Sequence, residues 1–114
     1  MGSPSLPEKA RRRFQNPTVE VLLSLVSVWE MAIKVSLGKL RITGRLTDFV
    51  ASARSLDVDL LPITLDHVLA VEKLPFHHRD PFDRLLASQA KIEKLEVLSG
   101  DPIFDEYGIH RVWA

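Results

Sequence analysis

With 114 residues, 46% of them hydrophobic, the chain is long enough for one core and too short for two. Fifteen basic and fifteen acidic side chains cancel, which excludes holding nucleic acid by bulk positive charge but leaves room for a local basic patch. The lack of cysteine excludes a disulfide framework and a thiolate metal site and fits a cytoplasmic protein.

Met1-Gly2-Ser3-Pro4 precedes no hydrophobic segment of an export signal; residues 1–4 are expected to be appended or disordered, and residues 5–114 to form one domain. From Leu6 to Gln15, Leu6, Ala10 and Phe14 share one helical face while Arg11, Arg12 and Arg13 crowd the others; Asn16-Pro17 ends this helix. Val19 to Leu25 reads as a buried strand. The apolar run from Val21 to Val28 is interrupted by Ser24 and Ser27 and falls far short of the roughly 20 residues of a membrane span.

Ser27-Val28-Trp29-Glu30 has capping-box spacing, so a helix is expected to start there, with Trp29, Ala32, Ile33 and Leu37 on one face and Gly38 as its stop. Thr47 is expected to cap a helix that points Phe49, Val50, Ala53 and Leu56 inward. Val58 to Ile63 predicts a short strand, and Thr64 caps a helix carrying Leu65, Val68, Leu69 and Val71. Asp80 reads as the N-cap of the next helix, with Pro81 at N1, Asp83 at N3, and Phe82, Leu85, Leu86, Gln89 and Ala90 as its buried stripe. Glu96 to Ser99 predicts a strand, Asp101-Pro102 a turn or single helical turn through Tyr107, and Ile109 to Trp113 a closing strand. Strands alternating with helices predict a parallel α/β sheet.

In such a sheet, ligands collect beyond the carboxyl ends of the strands. Glu30, Asp83 with Asp80 beside it, and Asp101 fall at such places. Converging, they would make an all-oxygen site suited to Mg²⁺ or Mn²⁺ and to phosphodiester hydrolysis. Taken singly, each has a plainer explanation: a capping box for Glu30, the N3 position for Asp83, N-capping for Asp80, a turn start for Asp101.

Ser27-Val28-Trp29-Glu30-Met31-Ala32-Ile33-Lys34 with Gly38-Lys39-Leu40 resembles a segment of PIN-domain proteins of the VapC toxin type. The block from Leu61-Pro62-Ile63-Thr64 through His77-His78-Arg79-Asp80-Pro81-Phe82-Asp83-Arg84 to Ala90 is similar to the same subfamily in order and spacing, as are Ser99-Gly100-Asp101 and the segment from Tyr107-Gly108 to Trp113. The resemblance implies an α/β fold with a parallel sheet flanked by helices, and a Mg²⁺- or Mn²⁺-dependent ribonuclease held in check by a small antitoxin. It implies Glu30, Asp83 and Asp101 as catalytic, metal-binding acids, with Asp80 an additional candidate. Lys34 and Arg84 are the candidates to meet RNA phosphate, a solvated or salt-bridged role being the alternative.

One departure stands out. Members usually open with a strand ending in an aspartate, whereas the first acid here is Glu8, inside a charged helical segment. The domain is therefore expected to be N-terminally truncated, lacking one metal ligand and a central strand. The exposed edges call for direct pairing of the remaining strands, strand exchange in a homo-oligomer, or a parent chain that retains the strand. An alternative follows: a catalytically inactive PIN remnant serving as a binding or assembly module. A plain α/β adaptor whose acids are only caps is the third reading. The adjacent His77 and His78 point in different directions and have no cysteine beside them, so zinc is not favoured; Lys9 and Arg11 to Arg13 read as a solvated face, and Trp29 and Trp113 as core or interface anchors.

Overall fold

A computed structural model describes residues 7–113. The stretch 1–4 and Leu6 lie outside the described residues. Helix α1 (Glu8–Gln15) carries Glu8 in its first turn and Arg12 and Arg13 in its last, as the helix dipole favours, and buries Ala10. It stops at Asn16, whose backbone is extended ahead of Pro17.

Strand β1 (Leu22–Ser24) runs directly into helix α2 (Leu25–Ser36). The cap of α2 is Ser24, not Ser27: the Ser24 hydroxyl accepts from Val26 N at 3.0 Å and donates to the side-chain oxygen of Gln89. Both serines suit a cap locally, and the buried tertiary partner decides between them. The inward residue of α2 is Val26; Trp29 is 47% exposed and Leu37 61%, so the expected apolar face looks largely outward. Gly38 follows the helix at φ +72, a left-handed conformation that a side chain would strain.

Helix α3 (Leu46–Ser55) starts one residue ahead of Thr47, where Asp48 reaches back to accept from Arg45 N at 3.1 Å. No residue of α3 is fully buried, and Leu56 beyond it is 67% exposed. Strand β2 (Asp59–Leu61) then pairs with β1 in parallel, Leu23 opposite Leu60. Helix α4 (Leu65–Val71) is capped as expected by Thr64, whose hydroxyl accepts from His67 N at 3.2 Å. Its inward residue is His67, while Leu65, Val68 and Leu69 stay exposed.

Helix α5 (Pro81–Glu93) begins at Asp80, whose Oδ1 accepts from Phe82 N at 2.9 Å and Asp83 N at 3.2 Å. Its buried face is Arg84, Ala87, Ser88, Gln89 and Ala90, with Phe82, Leu85 and Leu86 only partly covered. Strand β3 (Val97–Leu98), the single turn α6 (Ile103–Glu106) and strand β4 (Arg111–Val112) complete the chain, β3 and β4 pairing in parallel.

The strands thus form two separate two-stranded parallel sheets, β1-β2 and β3-β4, rather than one continuous sheet. Direct pairing across the gap, one of the expected remedies for a missing strand, is not present among the described residues. Helix α5 bridges the halves. Its Ala87 and Ala90 join the main core with Val97, Phe104, Tyr107 and Ile109 on the β3-β4 side. Its Gln89 amide donates to Pro62 O at 3.2 Å and accepts from Ser24 on the β1-β2 side. Between the halves lies an open cavity of about 840 Å³. Consecutive residues of both inner strands line it, Leu22, Leu23 and Ser24 on one side and Val97 and Leu98 on the other. Each of these strands has a ladder partner on one side only. Lining by consecutive residues, rather than alternate ones, means the strand edges border the cavity.

Candidate active site

Sequence-local capping by Asp80 fixes the start of α5, the Ser24-Gln89 contact fixes that of α2, and packing brings the two helices together. Trp29 and Phe82 meet edge to face, ring centroids 4.6 Å apart at 71°. Each aromatic is the chain neighbour of an acid, Glu30 on α2 and Asp83 on α5. The pair therefore clamps the two helices beside the two carboxylates.

Glu30 Oε2 receives the Lys34 ammonium at 2.9 Å, an i,i+4 bridge on the α2 surface. Asp83 sits on the first turn of α5, and its Oδ2 is 3.3 Å from His78 Nε2. Burial pushes the Asp83 pKa up, the hydrogen bond from His78 opposes this, and the charges of Asp80 and Glu30 raise it further. The Lys34 pKa is raised, first by its hydrogen bond to Glu30 and then by that residue's charge, with Asp80 and Asp83 adding to it. Glu30, Asp80, Asp83 and Lys34 therefore share one electrostatic field.

The remaining expected residues have partners of their own. Asp101 is exposed, its Oδ1 accepts from Ile103 N at 3.0 Å, and its charge acts on Arg111. It is not among the charges that shift Asp83. Arg84, expected at phosphate, is 8% exposed. Its guanidinium donates to Pro75 O at 3.0 Å, Val71 O at 3.2 Å and the Tyr107 hydroxyl at 3.2 Å, and lies 4.7 Å from the centre of the Phe76 ring. Those bonds satisfy the Val71 carbonyl at the end of α4 and the Pro75 carbonyl in the loop after it, so Arg84 is a structural residue rather than an open phosphate contact.

Among the described residues no three His, Cys, Asp or Glu side chains converge closely enough to cage a metal ion. Two mutually repelling carboxylates, Glu30 and Asp83, nevertheless suit a Mg²⁺ or Mn²⁺ ion that keeps most of its waters. Asp80 is committed to capping through Oδ1.

Sequence reasoning missed two contributors. From the sequence, His78 is a zinc candidate that is not favoured, Tyr107 ends a turn, and both fall in segments that resemble the family, but neither carries a role at the site. His78 Nδ1 lies 2.8 Å from the Tyr107 hydroxyl, a contact between residues 29 positions apart that no local pattern signals.

The family model of the PIN domain matches residues 2–109. Among curated proteins, none matches the chain.

Proposed function

Because the chain belongs to the PIN-domain family, we propose that it is a toxin of the VapC type, an endoribonuclease that hydrolyses RNA phosphodiester bonds with a divalent metal ion. Membership itself carries a nuclease-type function, RNA as the bound partner, and the family's general use of divalent ions. The observation that supports the finer reading is the Trp29-Phe82 contact between α2 and α5, whose chain neighbours Glu30 and Asp83 act on one another by charge, with Lys34 in the same field.

Glu30 and Asp83 would hold Mg²⁺ or Mn²⁺, with Asp101 as the third acid that the resemblance implies. When bound, the ion polarises a phosphoryl oxygen and makes water a stronger nucleophile. Lys34 meets the RNA phosphate as a point charge on the rim of the site. Asp80 holds the first turn of α5 and thereby the backbone under Asp83. The Trp29-Phe82 contact sets the spacing of the two acids. A small antitoxin protein is the expected partner and the cytoplasm the expected location. No helix among the described residues is long and apolar enough to cross a membrane.

The test is RNA cleavage by the full chain with Mn²⁺, with chelator, and in Glu30→Gln and Asp83→Asn. Cleavage that depends on metal and collapses in both variants supports the proposal; cleavage indifferent to all three overturns it.

A second reading is favoured by the divided sheet: a PIN remnant without turnover that serves as a binding or assembly module. In this reading the cavity between the halves is filled by a strand exchanged within a homo-oligomer. Light scattering across a concentration series separates the cases. A well-folded monomer at high concentration counts against exchange, and metal-dependent turnover by this chain rules out the inactive remnant.

A further inference from the structure

His78 and Asp83 are each about one-fifth exposed, with side-chain values of 22% and 23%. Behind them stands a series of hydrogen bonds with a fixed direction. Arg84 has only donors, so its contact with the Tyr107 hydroxyl uses that oxygen as an acceptor. The single phenolic proton is then free to point at His78 Nδ1, 2.8 Å away. With Nδ1 accepting, the neutral imidazole carries its proton on Nε2, the nitrogen facing Asp83 Oδ2 at 3.3 Å.

The anchor of this series is rigid. Tyr107 is 2% exposed and belongs to the main core. Lys91 of α5 donates to its carbonyl at 3.0 Å, and the His77 ring packs edge-on against it with centroids 4.8 Å apart. Arg84 is itself held by the carbonyls of Val71, at the end of α4, and Pro75, in the loop after it. Among the described residues, the other Asp83 oxygen, Oδ1, receives no hydrogen bond.

We propose that His78 is the positioning residue for Asp83: the Arg84-Tyr107-His78 series delivers an Nε2 proton to Oδ2, fixes the carboxylate plane, and reserves Oδ1 for a divalent cation. This inference rests on Asp83 being a metal-binding acid. A partner that orients a ligating carboxylate typically contributes 10- to 100-fold to metal affinity. The assignment differs from the zinc role weighed for the histidine pair, since His78 here orients a ligand and binds no metal.

The experiment has two arms on the full chain. In the first, the imidazole nitrogen shifts of His78 are recorded without metal in mildly alkaline buffer. A proton resident on Nε2 is expected, with the preference lost in Tyr107→Phe and the Nε2 shift moved in Asp83→Asn. A proton on Nδ1, or free exchange between tautomers in the unsubstituted chain, overturns the proposal. In the second arm, Mn²⁺ binding is followed by calorimetry. His78→Phe and Tyr107→Phe are expected to weaken binding about tenfold, with no further loss in the double variant, and His78→Gln to recover most of it through its amide N-H. Binding abolished by Asp83→Asn but unchanged in His78→Phe and Tyr107→Phe overturns the positioning role while sparing the site. No Mn²⁺ binding by the unsubstituted chain overturns the metal reading of Asp83 and, with it, the reservation of Oδ1. If His78→Phe does not fold, Tyr107→Phe and His78→Gln, which keep the local volume, carry the comparison.

Discussion

Asp83 works against the fold at neutral pH. Its folded pKa is raised, so the folded chain holds the Asp83 proton more tightly than the unfolded chain does. The associated stabilisation is fully present below the unfolded pKa and is lost as pH rises through the folded value. Removing a neighbouring negative charge relieves part of the shift. Glu30→Gln is therefore expected to lower the Asp83 midpoint, read by carbon NMR of the carboxyl group. A bound cation has the same effect from the other direction. Saturating Mn²⁺ at about 100 times its Kd is expected to stabilise the folded chain by about 2.7 kcal/mol. In Asp83→Asn this gain should disappear from thermal unfolding curves. Arg84 makes a contrasting case, since its partners are all internal. Arg84→Met strands the carbonyls of Pro75 and Val71 and should cost about 3 kcal/mol in urea unfolding.

At the scale of elements, the starts of α4 and α5 were legible because a cap is a local event. Thr64 and Asp80 each bond main-chain groups within three residues. The start of α2 was not, because Ser24 is selected by Gln89, 65 residues away. Burial faces were misread for a related reason. The apolar residues of α2 and α4 have the spacing of a core stripe, yet Leu37, Leu65 and Leu69 are exposed while His67 is fully buried. A buried histidine is tolerated there because Thr64 N donates to Nδ1 at 3.0 Å and Nε2 meets Glu93 at 2.8 Å. Of the expected site, the place of Asp83 on the first turn of α5 was legible through the Asp80 cap, whereas the burial of Arg84 against the carbonyls of Val71 and Pro75 depends on tertiary packing. The capping role of Asp80 is separable from any ligand role. Asp80→Ala should cost about 1 kcal/mol in urea unfolding, and Asp80→Ser should restore most of it, because serine caps as well.

For the molecule as a whole, the balance of fifteen cations and fifteen anions limits how RNA can be held. Among the described residues, Lys34 and His78 lie in the field of the paired acids, whereas Arg13 and Arg111 are engaged with Glu96 and Asp105. Few phosphate contacts release few counterions. The dependence of log K on log salt for a single-stranded RNA is therefore expected to have a slope of about −1, as for one or two contacts. A slope several times steeper would point to a basic surface remote from the acids.

The division of the sheet also bears on how the chain keeps its strands in step. In a continuous sheet, a one-residue slip in any strand turns its side chains over and disturbs every neighbour through the ladder. Here β1-β2 and β3-β4 have no ladder in common, and each packs against different residues of α5, Gln89 for the first and Ala87 and Ala90 for the second. A slip in one pair is therefore not passed to the other. Insertions or deletions that shift β3 against β4 leave the alignment of Leu23 with Leu60 intact, so long as α5 holds its place.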